Sequence, residues 1–581
     1  MFGGIGPLRL PARTGRPPGS FARESPMNTH AGHSPQDSTQ DAGLIQREDR
    51  KLQRRLGFWS LLAAGLGSVI GSGWLFASMF AARAAGPAAL LSWLVGGVLM
   101  LLVALVYAEL GMVRPESGGL VRYPLYSNGR LAATVIGVAM WLAYVSNPPT
   151  EAAGVVQYAS AWLPGVYDAT AGVLTPRGLG LAVLLMAGFV LLNYFGVQLF
   201  ARSNNVVTAI KVLVPVLTLA LLLASGFDHG SASGGLANLG AHGGFAPLGY
   251  GQALGAVASA GLIFAYTGFR NIVELSGEAV NPRRDIPRSM VATLVLTIAL
   301  YLALQLAFLV ALPPQLLAGG WQGVNLKSPF ADLARMLGMS WLYWMLLADS
   351  MVSPAGSGIV FTSANARNLY GMAKNGLLPR GLMHVHEASG IPRRALLVNF
   401  LVGVALLLPL PSWHAIVRPL SAVIVFTFSI GAVALPVFRA EGIGAAADRL
   451  PGMRAIAPLA FVVSTLVMYW ASWSVLRATL PVMLAAVGWY AWMHLRARRA
   501  GSRGAGSAVT SFDFADWQGG AWLLVYLALT YALSLVSTRG GLGWFGEAWG
   551  SLLTALLSLA CYAWGVHAGR RYVRLRGPGF G

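Results

Sequence analysis

The sequence predicts an all-α polytopic membrane protein, and three observations carry that prediction. Of the 581 residues, 56% are apolar and only 11% charged, less than half the roughly 25% charge of a soluble domain. The apolar residues fall into fourteen long segments, at about 58–83, 88–112, 131–162, 179–198, 204–225, 250–275, 289–312, 332–366, 395–410, 414–437, 455–475, 478–495, 520–537 and 548–567. Most approach the ~20 residues with which a helix spans a bilayer, and none alternates at period two, so a transmembrane barrel is excluded. Together these exclude a water-soluble enzyme, a coiled coil and a disordered scaffold. The single cysteine, Cys561, leaves no disulfide framework and no thiolate metal cluster.

The third observation is the placement of charge. The formal net charge is +20, from 41 Lys and Arg against 21 Asp and Glu. If the amino terminus is inside, 33 of the 41 cations fall in the inner segments, seven in the outer ones, and Arg270 lies within a segment. Cytoplasmic loops collect Lys and Arg, so the bias predicts an even number of spans with both termini cytoplasmic. The basicity therefore needs no nucleic acid partner.

Residues 1–46 are rich in Gly, Pro, Ser, Arg and Gln and are expected to form a disordered cytoplasmic tail. They lack the apolar core of a secretory signal, and Met27 is a second candidate start. Residues 47–440 open with a basic run to Arg55 and hold segments 1–10. Segments 11 and 12 occupy 441–500; segments 13 and 14 and a basic tail occupy 501–581.

Segment 1 contains Gly65-Leu66-Gly67-Ser68-Val69-Ile70-Gly71-Ser72-Gly73, a weak stretch for a helix at mid-bilayer. Small residues at i, i+4 also serve close helix packing, and both readings stand on this segment alone. Five segments later Phe264-Ala265-Tyr266-Thr267-Gly268-Phe269 interrupts segment 6. An odd offset makes the two antiparallel, and paired interruptions in inverted halves point to a transporter's binding site. A break after Gly71 would turn free N–H groups and a positive dipole end at Ser72 and Gly73 toward a carboxylate. Freed carbonyls around Ser68 to Ile70, and at Phe264 and Ala265, would suit an ammonium, so the pair of poles suits a zwitterion. Unpaired backbone at this depth is tolerated only where it lines a site or is buried in protein.

These residues carry a resemblance. Gly67 through Gly73 resembles the segment 1 signature of the amino acid–polyamine–organocation (APC) transporter superfamily. Three further stretches agree: Tyr107-Ala108-Glu109-Leu110 with Pro115-Glu116-Ser117-Gly118-Gly119; Glu278 through Asn281-Pro282-Arg283 to Ile286-Pro287; and Arg367-Asn368-Leu369-Tyr370-Gly371-Met372-Ala373 through Gly376-Leu377-Leu378-Pro379 to Ile391-Pro392. The match covers about residues 57–440. It implies a LeuT-like five-plus-five inverted-repeat core, broken helices 1 and 6, and an amino acid held between segments 1, 3, 6 and 8. Segments 13 and 14 exceed the superfamily's usual twelve and receive no functional reading.

Charges inside the segments are the remaining signal. Arg270 follows the segment 6 interruption, where a central charge costs about 2.5–3.5 kcal/mol on insertion scales. It either pairs internally with Glu274 or Glu151, or grips an acidic substrate, since guanidinium binds carboxylate bidentately. Several members of the superfamily carry an acid near this position, and the reversed charge argues against a cationic substrate. Gly268-Phe269-Arg270 with Glu274 is most similar to the aspartate–proton symporter branch. Lys211 lies about seven residues into segment 5 and either snorkels to the inner surface or, as the resemblance implies, couples transport to protons. Glu151, in Asn147-Pro148-Pro149-Thr150-Glu151, and Asp349 are either structural partners or proton relays. Glu109 and Glu278 sit at segment ends and read as structural, and His384 and His386 have no further metal ligand nearby.

The expected substrate-binding set is thus Ser68, Ile70, Gly71, Ser72, Gly73, Phe264, Ala265, Tyr266, Gly268 and Arg270, with Lys211, Glu151 and Asp349 in proton coupling. Neither a metal nor a cofactor is called for. No Gly-Lys-Ser/Thr phosphate loop exists, so ATP does not drive the protein. The expected function is a secondary active, proton-coupled amino acid transporter with a leaning to acidic substrates. A neutral amino acid permease or exchanger is the alternative within the superfamily, and a non-transporting sensor the alternative outside it. An intramembrane enzyme would need a nucleophile–base pair or metal ligands within a segment, and neither is present.

Overall fold

The computed structural model describes residues 56–115, 119–195, 197–227, 233–386, 392–499, 514–540 and 542–576. The expected tail, Met27, the basic run to Arg55, the Glu116–Gly118 and Ile391 positions of the motifs, and residues 501–513 lie outside the described residues. The molecule is helical in each of the fourteen predicted segments. Eleven helical stretches are long and apolar enough to cross a membrane, twelve if one bent pair is counted as a span. The difference from fourteen has two sources. Gly73–Val113 runs through the junction of segments 1 and 2, and segment 9 forms only the 15-residue helix Arg393–Leu407.

The helices are α1 (Phe58–Val69), α2 (Gly73–Ala85), α3 (Ala89–Val113), α4 (Gly119–Val145), α5 (Asn147–Ala159), α6 (Pro176–Phe195), α7 (Val197–Phe227), α8 (Tyr250–Ser259), α9 (Leu262–Tyr266), α10 (Arg270–Glu274), α11 (Pro282–Ala311), α12 (Pro329–Met336), α13 (Ser340–Lys374), α14 (Arg393–Leu407), α15 (Trp413–Ala440), α16 (Met453–Trp470), α17 (Trp473–Arg499), α18 (Phe514–Val536) and α19 (Glu547–Arg576). A two-residue hairpin, Tyr167–Asp168 with Val173–Leu174, precedes α6.

Depth in the bundle differs sharply between helices of similar hydropathy. In α15, 94% of the most apolar stretch is buried, whereas the corresponding share of α6 and α19 is 28% and 33%. The outer helices instead expose large side chains, Leu184, Leu191 and Leu192 on α6 and Leu552, Leu556 and Leu559 on α19. Such continuous apolar surface is stable against lipid and not against water. The centre is therefore left to α1, α2, α4, α5, α8–α10 and α15, which carry the candidate site.

Segment 1 breaks where predicted, with Ile70, Gly71 and Ser72 between α1 and α2. Segment 6 breaks earlier than predicted. α8 ends at Ser259, the chain bends by 56°, and Gly261 takes the left-handed conformation at φ 85°. Glycine alone adopts that backbone without steric cost. At the predicted place, Thr267–Phe269, the helix only tightens into a 3₁₀ turn. Gly268 has a different task there: a Cβ would lie 2.2 Å from the Val69 nitrogen, so its bareness lets segment 6 pack on the break of segment 1.

Segments 13 and 14 form a pair, α18 and α19, that packs on the start of segment 3. Gly129, at φ 83°, divides α4 into a short, largely buried first helix and the longer membrane helix. The new helix's Arg130 N–H donates to Asp516 Oδ1 on α18 at 3.0 Å, and Asn128 Nδ2 donates to the Gly519 and Gly565 carbonyls at 3.1 Å each.

Candidate substrate and coupling site

The last turn of α1 frees carbonyls that, in an apolar interior, must find donors. Side chains from three helices supply them. Lys211 Nζ on α7 donates to the Gly67 carbonyl at 2.5 Å and to Ser357 Oγ on α13 at 2.8 Å. Ser357 Oγ itself lies 3.5 and 3.4 Å from the Gly67 and Ile70 carbonyls. Tyr301 OH on α11 donates to the Val69 carbonyl at 3.1 Å and reaches that of Ala265 at 3.4 Å, tying segment 1 to segment 6. Lys211 is 2% exposed, so it is turned to the break and does not snorkel.

The opposite pole is the start of α2, where an N–H faces inward. Ser72 N–H donates to Glu151 Oε2 at 2.8 Å. Glu151 owes its place to the Pro148-Pro149 pair that opens α5. The two prolines remove the N–H groups that would have bonded Tyr144 and Val145. Asn147 Nδ2 makes good part of the loss, donating to the Ala143 and Tyr144 carbonyls at 3.1 and 2.9 Å, and Asn365 Nδ2 donates to Tyr144 at 2.8 Å. The Ser72 N–H was expected to meet a substrate carboxylate; in this structure a carboxylate of the chain's own stands there. Gly71 permits it, because a Cβ would come within 2.6 Å of Glu151 Oε1 and 2.9 Å of Ser357 Oγ.

The other members of the predicted set divide between lining and packing. Ser68 Oγ donates to the Ala64 carbonyl and accepts from Asn271 Nδ2, both at 2.7 Å. Ser72 Oγ accepts from Trp413 Nε1 at 2.7 Å. Gly73 faces Ala265, whose Cβ would be 2.9 Å from an added Cβ, and Gly65 and Gly67 face the Thr293 and Thr208 hydroxyls at 2.5 and 2.8 Å. These three glycines are close-approach positions. The Phe264 carbonyl accepts from Thr267 Oγ1 at 2.8 Å, so it is not a bare acceptor, and the Phe264 ring meets Trp413 edge-on. Tyr266 OH donates to the Trp93 carbonyl at 3.2 Å, away from the break.

Arg270 is 1% exposed and forms no ion pair with Glu151. Its guanidinium lies 3.6 Å from the centroid of the Tyr144 ring and 5.4 Å from that of Phe361, a cation–π arrangement that partly offsets burial. Nε and Nη2 have no hydrogen-bond partner among the described residues. Tyr144 OH donates to Glu274 Oε1 at 3.2 Å, which sets that acid beside the same ring. Tyr144 precedes Glu151 by seven residues, roughly 10 Å along the segment, so Arg270 belongs to a second centre. Asp349, on the helix of Ser357, lies within electrostatic reach of Lys211 without bonding to it, its Oδ1 accepting from Ser353 Oγ at 2.7 Å and its Oδ2 unpartnered among the described residues. Glu109 is structural as expected: it is fully buried and receives Arg439 Nε and Nη2 at 2.5 Å each, with the Leu450 N–H at 2.8 Å. Among the described residues no three His, Cys, Asp or Glu side chains gather as a metal site.

Tyr301, Ser357, Asn271 and Trp413 escaped sequence reasoning, because Tyr, Ser, Asn and Trp within apolar segments have many ordinary uses. The usable signal was the number of freed carbonyls, each of which requires a donor.

A broken segment whose two poles are filled by an acid and a base from other helices is a transporter's architecture, and the comparisons agree. The Amino acid permease family profile matches residues 56–538. The chain belongs to that family. Among its relatives, the glutamate/serine transporter AimA of Bacillus subtilis is 37% identical over 527 residues, covering 89% of this chain and 94% of that one. The aspartate-proton symporter of the same organism is 32% identical over 525 residues, covering 89% and 97%. The branched-chain amino acid permease BcaP is 25% identical over 366 residues, covering 61% and 74%. As an amino acid permease this chain is a transporter and not an enzyme, with an amino acid as its cargo.

Proposed function

We propose that this permease is a proton-coupled symporter that takes up an acidic amino acid by alternating access across a bacterial cytoplasmic membrane, with both termini inside and segments 1–10 forming a five-plus-five inverted repeat. The observation that carries the reading is the internal acid–base pair at the segment 1 break: Glu151 on the Ser72 N–H and Lys211 on the Gly67 carbonyl. A substrate zwitterion bears the same two groups. Its α-carboxylate competes with Glu151 for the N–H pole, and two carboxylates at one helix start repel each other, so binding favours a protonated Glu151. Protonation removes that repulsion, and the return of Glu151 to Ser72 requires release of the proton. Substrate and proton then travel together. Lys211 holds the carbonyl pole throughout or exchanges its own proton, and Asp349 is a further acceptor within α13.

The leaning to acidic substrates rests on Arg270, whose buried guanidinium has two nitrogens unpaired among the described residues. The relatives named for glutamate/serine and for aspartate with protons support an acid or a small polar amino acid. Uptake into proteoliposomes tests the whole reading. Aspartate or glutamate should accumulate under an inward proton gradient without sodium, and strict sodium dependence would remove the coupling proposal. Uptake of neutral amino acids alone would favour the neutral permease, and binding without uptake the sensor. Reporter fusions near residues 285 and 385 should read cytoplasmic and near 235 external; the reverse at 235 would overturn the orientation.

A further inference from the structure

We propose that the basic end of the bundle carries a binding site for an anionic phospholipid, seated between the ends of α15, α16 and α19. A cavity of about 330 Å³ lies there, lined among others by Pro436, Arg439, Arg449, Met453, Arg454 and Tyr562. Its rim is cationic, and the acids near it are already answered. Glu109 is held by Arg439, Asp448 by Arg283 at 2.5 Å, and Glu441 by both Arg570 and Arg574 at 3.1 and 3.0 Å. Among the described residues Arg449 donates only to the Arg439 carbonyl, at 3.1 Å. Arg449 and Arg454 are exposed, and neither forms an ion pair among the described residues. Two cations without counter-charge at the mouth of a cavity call for an anion.

The wall below the rim says which anion. Tyr562 lies fourteen residues from the end of α19 at Arg576, roughly 21 Å along the helix, and Pro436 and Met453 complete an apolar side. The neighbouring helices expose Leu459, Leu559 and Trp564, so the cavity adjoins surface suited to acyl chains. A free phosphate would satisfy the rim and leave the wall uncovered. A phospholipid with an anionic headgroup satisfies both, as basic pockets between membrane helices do on the cytoplasmic side. The site also borders the junction where Glu109 at the end of α3 meets Arg439 and the Leu450 backbone, so its occupant would brace the loop between α15 and α16. Nothing in this depends on which amino acid is carried.

The test uses the full chain in detergent, read by native mass spectrometry and by thermal unfolding. Phosphatidylglycerol should be retained and should raise the unfolding midpoint, while phosphatidylcholine and inorganic phosphate should do neither. In an Arg449→Gln/Arg454→Gln variant, retention should weaken roughly tenfold to thirtyfold, the scale expected for two cations near a membrane surface. Arg477→Gln, at the other end of the bundle, serves as the charge-matched control and should bind as wild type. Should the double variant fail to fold, Arg454→Gln alone decides, being an exposed residue without an ion-pair partner among the described residues. A midpoint raised equally by inorganic phosphate would make this a free-anion site, and undiminished phosphatidylglycerol retention in the variants would overturn the assignment.

Discussion

Two of the buried ionic centres among the described residues belong to the candidate site, the segment 1 break and Arg270, and they are built in opposite ways. At the break of segment 1 every charge has a directional partner: Lys211 has the Gly67 carbonyl and Ser357, and Glu151 has the Ser72 N–H. Roughly 10 Å along segment 3, Arg270 lies on the faces of Tyr144 and Phe361 with two nitrogens unpaired among the described residues. A satisfied pair has to be opened before it can bind anything, so it suits a switch. An unsatisfied cation can accept an anion with no internal bond to break, so it suits recognition. On the proposed reading, the contrast assigns coupling to the first centre and selectivity to the second.

The largest expected effect is at the satisfied pair. Lys211→Ala removes the charged donor to both the Gly67 carbonyl and Ser357, and each hydrogen bond to a charged group contributes about 1.5–3 kcal/mol. Proton-driven uptake should fall about a hundredfold or more, read as initial rates in proteoliposomes with and without a pH gradient. Retained gradient dependence would move coupling elsewhere and dissolve the distinction between the two centres.

Arg270→Gln should act next most strongly and selectively. Hydrogen bonds to a charged group contribute about 1.5–3 kcal/mol, so aspartate or glutamate should weaken roughly tenfold to a hundredfold while a neutral competitor such as serine changes little. Competition against labelled substrate measures this directly. Equal losses for both would reduce Arg270 to a structural cation held by Tyr144 and the nearby Glu274.

A third expectation concerns the glycines between the centres. Gly73 was expected to approach substrate, yet its open side faces Ala265, at 2.9 Å from an added Cβ. Gly73→Ala should therefore destabilise by about 1–3 kcal/mol through overpacking. Adding Ala265→Gly should restore most of the loss in a thermal-unfolding double-mutant cycle, and the absence of any such rescue would return Gly73 to the substrate.

Much of this was legible in the sequence, for physical reasons that differ by residue. Lys211, Glu151 and Arg270 stood out because a charge inside an apolar run is expensive and therefore purposeful. The segment 1 break stood out because four glycines in nine residues cannot sustain a helix well. The segment 6 break was misplaced because Gly261 and Gly268 look alike in sequence, one supplying a left-handed turn and the other a bare surface. Glu151 was visible, but not the pole it would occupy, since that depends on how far the Pro148-Pro149 kink rotates α5. Tyr301 and Ser357 were invisible because their role is set by carbonyls from another helix.

The smallest expected effect lies outside both centres, in the α18–α19 pair that the sequence left without a role. Asp516 is 3% exposed and accepts the N–H of Arg130, the first residue after the Gly129 turn. A carboxylate there caps the helix that carries Tyr144 and, beyond the proline kink, Glu151, and it complements that helix's positive end. Asp516→Ala should cost about 0.5–2 kcal/mol of stability, and Asp516→Asn, which keeps an acceptor oxygen, should recover most of it. If the cap also sets the height of segment 3, Asp516→Ala will raise the KM for substrate and shift the pH profile of uptake, because Glu151 moves relative to Ser72. A loss of stability with KM and pH profile unchanged would confine the α18–α19 pair to holding the bundle together, and would leave both ionic centres independent of it.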